Sequence, residues 1–135
     1  MQRPNTTDKA MAIRIIEHGI HELTWLSADL NAVDAWFEYN DALYQTTSPD
    51  EMLRFLHIAI LPKFPSISQI SRRARTLQSM YPVQPKTRTA ILSKLSFWSG
   101  FINMLSGLLN RNGQDVTRFF SEDERETAIE WLLEG

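Results

Sequence analysis

From Ala12 onward, apolar and polar residues partly alternate. Ala12-Ile13-Arg14-Ile15-Ile16 is followed by Glu17-His18-Gly19 and then by Ile20-His21-Glu22-Leu23-Thr24-Trp25-Leu26. A period of two on both sides of a short Gly-containing break predicts a β-hairpin. From about Asp29 to Tyr44 the rhythm changes. Leu30, Val33, Trp36, Phe37 and Leu43 recur at three, four and seven, while Asp34, Glu38 and Asp41 face outward. That spacing predicts an amphipathic helix.

Thr46-Thr47-Ser48-Pro49-Asp50 breaks the helix, and two signals then compete over Met52 to Leu61. Ser48, Pro49 and Glu51 form a helix-capping signature. Leu53 to Ile60 is short, apolar and closed by Pro62, which suits a buried strand. A strand is expected, because the preceding helix needs a sheet to cover. Pro62-Lys63-Phe64-Pro65 is a loop. Ser66 with Gln69 then makes a capping box for a helix. Its buried stripe is Ile67, Ile70, Ala74, Leu77 and Met80, and its wet side carries Arg72, Arg73 and Arg75. Tyr81-Pro82-Val83-Gln84-Pro85 is a connector, since two prolines cannot continue a helix.

Thr87 to Lys94 reads as a strand centred on Ala90-Ile91-Leu92, and Phe97 to Leu109 as a helix stopped by Asn110-Arg111-Asn112-Gly113. Asp115 to Phe120 is a short strand. Ser121 with Glu124 makes a second capping box for a helix with Ala128, Ile129, Leu132 and Leu133 inward and Trp131 flanking. Acidic residues crowd that helix start, where they suit the positive end of the dipole. The order β-β-α-β-α-β-α-β-α predicts an α/β domain. Its centre is a mixed, mostly parallel sheet of about five strands, packed with about four helices.

The chain has 135 residues, enough for one core, so residues 11–135 are expected to form a single domain. Met1 to Ala10 is polar and is expected to be a mobile leader. The net charge of -2 directs the chain toward neither nucleic acid nor an anionic membrane. The chain has no cysteine, which excludes disulfides, thiol catalysis and thiolate metal sites. That usage fits a reducing compartment, so a cytoplasmic location is expected. No signal peptide is recognisable, and no apolar run approaches the roughly 20 residues that span a bilayer.

The closing segment carries a likeness. Asp115-Val116-Thr117-Arg118-Phe119-Phe120-Ser121-Glu122-Asp123-Glu124 leads to Thr127-Ala128-Ile129-Glu130-Trp131-Leu132-Leu133. It resembles the last strand and helix of small STAS-like (SpoIIAA-like, anti-sigma-factor-antagonist-like) domains. Lys86-Thr87-Arg88-Thr89-Ala90-Ile91-Leu92 resembles the strand before it, and a hairpin followed by βα units is the family's element order. The order covers about residues 11 to 134, the residue-level likeness only the last third. The resemblance implies a STAS-like fold and a regulatory, partner-binding role. Phosphorylated members bear an Asp-Ser-Ser-Gly-like motif where the central strand meets the next helix. Here His57-Ile58-Ala59-Ile60-Leu61-Pro62-Lys63-Phe64-Pro65-Ser66-Ile67-Ser68 has no such cluster. Ser66 and Ser68 lie where a helix start would welcome a phosphate. Ser66 reads as the cap, so the switch is not carried over.

Catalytic patterns are missing from the sequence. His18 and His21 fall in or beside the hairpin turn, and three-residue spacing on a strand points side chains to opposite faces. His57, in a buried strand, reads as a satisfied core histidine. The glycines are scattered, which leaves no phosphate-cradling loop, and no serine sits in a Gly-x-Ser-x-Gly elbow. No metal, cofactor or catalytic residue is assigned. Arg72, Arg73 and Arg75 read as solvated surface, and nucleic-acid binding would need a broader basic patch.

The segment Phe97 to Asn110 is unusual because it holds no charged residue. Ser99, Gly100, Asn103, Ser106, Gly107 and Asn110 repeat at three and four as one small, neutral face. The rest form an apolar arc wider than one sheet contact requires. The helix is then well buried, or packs on a second copy or partner, or borders a lipid-like ligand. Phe97, Trp98, Phe101, Ile102 and Leu105 are the candidate partner or ligand surface. The expected function is a non-enzymatic interaction or regulatory module that self-associates through this helix or binds another protein. A small-ligand or lipid-binding domain is the alternative, and an enzyme with an unrecognised site is the third reading.

Overall fold

A computed structural model describes residues 5–7, 10–63, 65–94 and 115–134. The strands are β1 (Asn5–Thr7), β2 (Met11–Ile15), β3 (His21–Trp25), β4 (Met52–Ile58), β5 (Lys86–Ser93) and β6 (Asp115–Ser121). The helices are α1 (Leu30–Thr46), α2 (Ile67–Met80) and α3 (Arg125–Glu134). All six strands join one sheet in sequence order, β1-β2-β3-β4-β5-β6. The first three are antiparallel, and β3 to β6 run parallel. The expected α/β class, hairpin and parallel βα units are therefore present. The helix expected over Phe97 to Leu109 lies outside the described residues.

Five strands stand where the sequence reading placed them, and β1 is an addition. Asn5–Thr7, inside the expected leader, pairs with Ala12–Arg14 of β2. Ala10 is also part of the core, and its carbonyl accepts from the Leu26 backbone amide at 2.9 Å. A polar three-residue strand carries no hydrophobic rhythm, and it shows instead as a backbone ladder with β2.

The contest over Met52–Leu61 resolves as a strand, as expected. The Ser48–Glu51 signature is spent on a tight turn instead. Ser48 N–H donates to Glu51 Oε1 at 2.9 Å, and Asp50 N–H donates to Ser48 Oγ at 3.2 Å. β4 then pairs with β5 along its whole length, from Met52 with Lys86 to Ile58 with Leu92. Those tertiary hydrogen bonds outweigh a local capping preference.

The period of two divides the sheet into two buried faces. One core gathers Ile13, Leu23, Trp25, Leu53, Phe55 and Ile91 beneath Val33, Trp36 and Phe37 of α1 and Ile70 of α2. The other gathers Ile20, Leu56, Ala90, Leu92 and Phe120 against Ala128, Trp131 and Leu132 of α3. Helices α1 and α2 thus share one face and α3 covers the other. Asp29 caps α1 by accepting from Ala32 N–H at 3.3 Å, and Ser66 caps α2 by accepting from Gln69 N–H at 3.2 Å.

Three stripe assignments need correction. Leu30 is 53% exposed, because helical side chains lean toward the N-terminus and a first-turn residue points past the helix end. Met80 is 54% exposed. The α2 stripe continues from Leu77 to Tyr81, which meets Tyr44 with ring centroids 5.5 Å apart. On α3, Trp131 is buried and Leu133 is 41% exposed, because Trp131 packs on Phe120 at 5.8 Å. The second capping box is half made. Glu124 Oε1 accepts from Ser121 N–H at 2.8 Å, but the Ser121 hydroxyl donates to Asp123 instead.

Candidate functional site

The residues singled out from the sequence as a partner or ligand surface, Phe97, Trp98, Phe101, Ile102 and Leu105, all lie outside the described residues. The histidines are placed apart. His18 sits exposed in the hairpin turn at φ 62, a left-handed conformation that histidine tolerates better than most residues. Gly19 follows at φ 72, where a Cβ would be strained. His21 and His57 are buried on the face beneath α1.

His57 lies in β4 with 3% of its surface exposed. Its Nδ1 accepts from the Trp25 indole N–H at 2.9 Å, and Trp36 stands edge-on at 5.3 Å. An indole nitrogen can only donate, so His57 Nδ1 is unprotonated and its proton sits on Nε2. Burial pushes its pKa down to about 3, so the ring is neutral. His21, on β3, holds its Nδ1 2.6 Å from the Tyr39 hydroxyl of α1. Burial lowers the pKa of His21 and raises that of Tyr39 to about 12.

Glu22 points to the opposite face, with its side chain 5% exposed. Arg14 Nε donates to its Oε1 at 2.6 Å, and Arg125 of α3 pairs with its Oε2 at 2.6 Å. Burial pulls the carboxyl pKa upward, but hydrogen bonds from Arg14 and Arg125 outweigh it and hold the group below its ordinary value. Two further arginines reach α3. Arg54 and Arg88 lie directly opposite one another on β4 and β5, where like charges repel. Arg54 Nε donates to the Leu132 carbonyl at 2.8 Å, and Arg88 Nε donates to the Trp131 carbonyl at 2.9 Å. The Arg88 guanidinium also lies 4.0 Å from the Trp131 ring centre. The negative end of the helix dipole offsets the repulsion and explains the pairing.

These ionisable groups are committed to partners within the fold. Ser93 Oγ, at the end of β5, is fully buried and has no hydrogen-bond partner among the described residues. Among the described residues no group of three or more His, Asp or Glu could hold a metal ion, and no helix is long and apolar enough to cross a membrane. The Ser66 hydroxyl serves the cap and lies 3.2 Å from that of Ser68.

The outer helical layer carries a groove of about 120 Å³ between α1 and α2. It is lined by Phe37, Asp41, Arg73, Thr76, Leu77 and Met80. Small-molecule pockets run to roughly 300–1,000 Å³, so this groove matches a single side chain better than a metabolite. Arg73 lies 5.8 Å from the Phe37 ring centre and 3.8 Å from Asp34.

Sequence reasoning missed Glu22, Arg54, Arg88 and Arg125 as a connected set. The signal was there: three of them are charges inside strands. Which partner each would find depends on where α3 lies. Comparison with protein-family models, curated proteins and solved structures finds no match to this chain.

Proposed function

We propose that this chain is a STAS-like, non-enzymatic interaction or regulatory module that acts by self-association. The observation that carries the reading is the sorting of its polar groups. Buried His21, His57 and Glu22 and half-buried Arg54 and Arg88 are tied to partners inside the fold, whereas Glu38, Arg72 and Arg75 on the outer helices are exposed. Catalytic sites need titratable groups facing a cleft and poised near the working pH. A neutral histidine sealed beneath α1 and a carboxylate held between two arginines serve packing and cohesion. A hairpin followed by parallel βα units in sequential order supports the STAS-like assignment.

The test is size-exclusion chromatography with light scattering over a broad micromolar range. A concentration-dependent rise from one chain mass to two is the expected result. A chain that stays monomeric at the highest concentration would remove self-association from the reading.

A further inference from the structure

The outer layer separates its charges by helix. Every charged residue of α1 is acidic: Asp34, Glu38 and Asp41. Every charged residue of α2 is basic: Arg72, Arg73 and Arg75. Arg73 and Asp34 pair across the layer at 3.8 Å, and Asp41 accepts from the Tyr81 hydroxyl. Glu38, Arg72 and Arg75 are exposed and form no ion pair among the described residues. Arg72 and Arg75 reach only neutral Gln69 and Ser71, at 3.5 and 2.9 Å. Like charges three residues apart on one helix repel, so both gain from an outside anion.

Two contacts fix the relative height of the helices. Asp34 is level with Arg73, and Asp41 is level with Tyr81. The helices therefore run parallel and in step. At about 1.5 Å per residue, Glu38 lies roughly 6 Å beyond Asp34 and Arg75 roughly 3 Å beyond Arg73. The offset of about 3 Å is within the reach of an arginine side chain.

We propose that this face docks a second copy of the chain about a two-fold axis parallel to α1 and α2. That axis lays α1 of one copy over α2 of the other at equal height. Glu38 then meets Arg75 twice, once on each side of the axis, and Arg72, about 7.5 Å from the Glu38 level, adds to the same basic field. A two-fold perpendicular to the helices would lay α1 on α1 and α2 on α2, setting acid on acid and base on base. Charge complementarity thus selects the axis. Exposed Met80 and half-buried Leu77 add apolar surface along a groove that Asp41, Arg73 and Thr76 also line.

The inference rests on the self-association reading and names its surface. Glu38→Arg in one chain and the Arg72→Glu/Arg75→Glu pair in another should each weaken the dimer by roughly tenfold or more in Kd. All three positions are exposed, and circular dichroism checks that the variants stay folded. Combining the three substitutions in one chain should restore dimerisation. So should mixing the Glu38→Arg chain with the Arg72→Glu/Arg75→Glu chain, which pairs them as a mixed dimer. A dimer indifferent to all of these reversals overturns the face but leaves self-association through another surface. A chain that is monomeric throughout overturns both.

Discussion

Among single residues, His57 shows most directly how polarity is used in this core. A histidine between Trp25 and Trp36 would be costly to bury if charged, so the fold takes the neutral ring and gives it one donor. Trp25→Phe keeps the aromatic contact with Trp36 but removes the indole N–H, which leaves a buried acceptor unpaired. Such an orphan costs about 1–3 kcal/mol. Urea unfolding at pH 7 should show that loss, with the slope against denaturant unchanged. A loss below a few tenths would mean that Nδ1 finds another donor. His21 is bonded by Tyr39 on the same face, so each buried imidazole has one hydrogen-bonding neighbour.

At the scale of elements, α3 depends on charges from strands distant in sequence. Arg54 and Arg88 hold the carbonyls of its last turn, and Arg125 in its first turn reaches Glu22 on the first hairpin. Arg88→Met keeps much of the stem's apolar packing but removes a charge-assisted hydrogen bond and the guanidinium over Trp131. A loss of about 1–3 kcal/mol is expected, because hydrogen bonds to charged groups and stacked cations each exceed ordinary pairs. Trp131 fluorescence should shift in the folded variant, which a merely weakened surface pair would not cause. This part of the fold also marks how far the sequence could be read. Alternation placed the hairpin, and a short apolar run closed by Pro62, with a helix before it that needed a sheet to cover, decided for a strand at Met52. β1 was hidden because a polar three-residue strand carries no hydrophobic rhythm. Leu30, Met80 and Leu133 were misplaced because a stripe does not say where a helix ends relative to its sheet. The candidate site was less legible still. Arg54 and Arg88 are visible as charges within strands, but the carbonyls that receive them belong to a helix more than forty residues away in the chain.

In the whole molecule, the sheet separates two cores, and both buried histidines lie in the one beneath α1. That asymmetry gives stability a definite pH dependence. His57 has a folded pKa pushed by burial from 6.5 to about 3, and burial lowers His21 as well. Between those values the unfolded chain binds protons that the folded chain refuses. Stability therefore falls as pH drops below 6.5, by about 1.4 kcal/mol per unit for His57, and His21 acts in the same direction. Glu22 adds nothing in this window. Its folded pKa lies below its ordinary 4.5, so its contribution is lost only at lower pH. From His57 alone roughly 2 kcal/mol should thus disappear between pH 7 and pH 5, a large part of the 5–15 kcal/mol that holds a typical domain together. Urea midpoints at pH 7, 6 and 5 measure it, and a flat profile would contradict neutral burial of both rings. His57→Phe separates the causes. Phe cannot accept from Trp25, so the variant is weaker at pH 7. It also removes one titrating group, so its loss between pH 7 and pH 5 should be clearly smaller. A variant that is weaker at pH 7 but keeps the full acid slope would move the sensitivity away from His57.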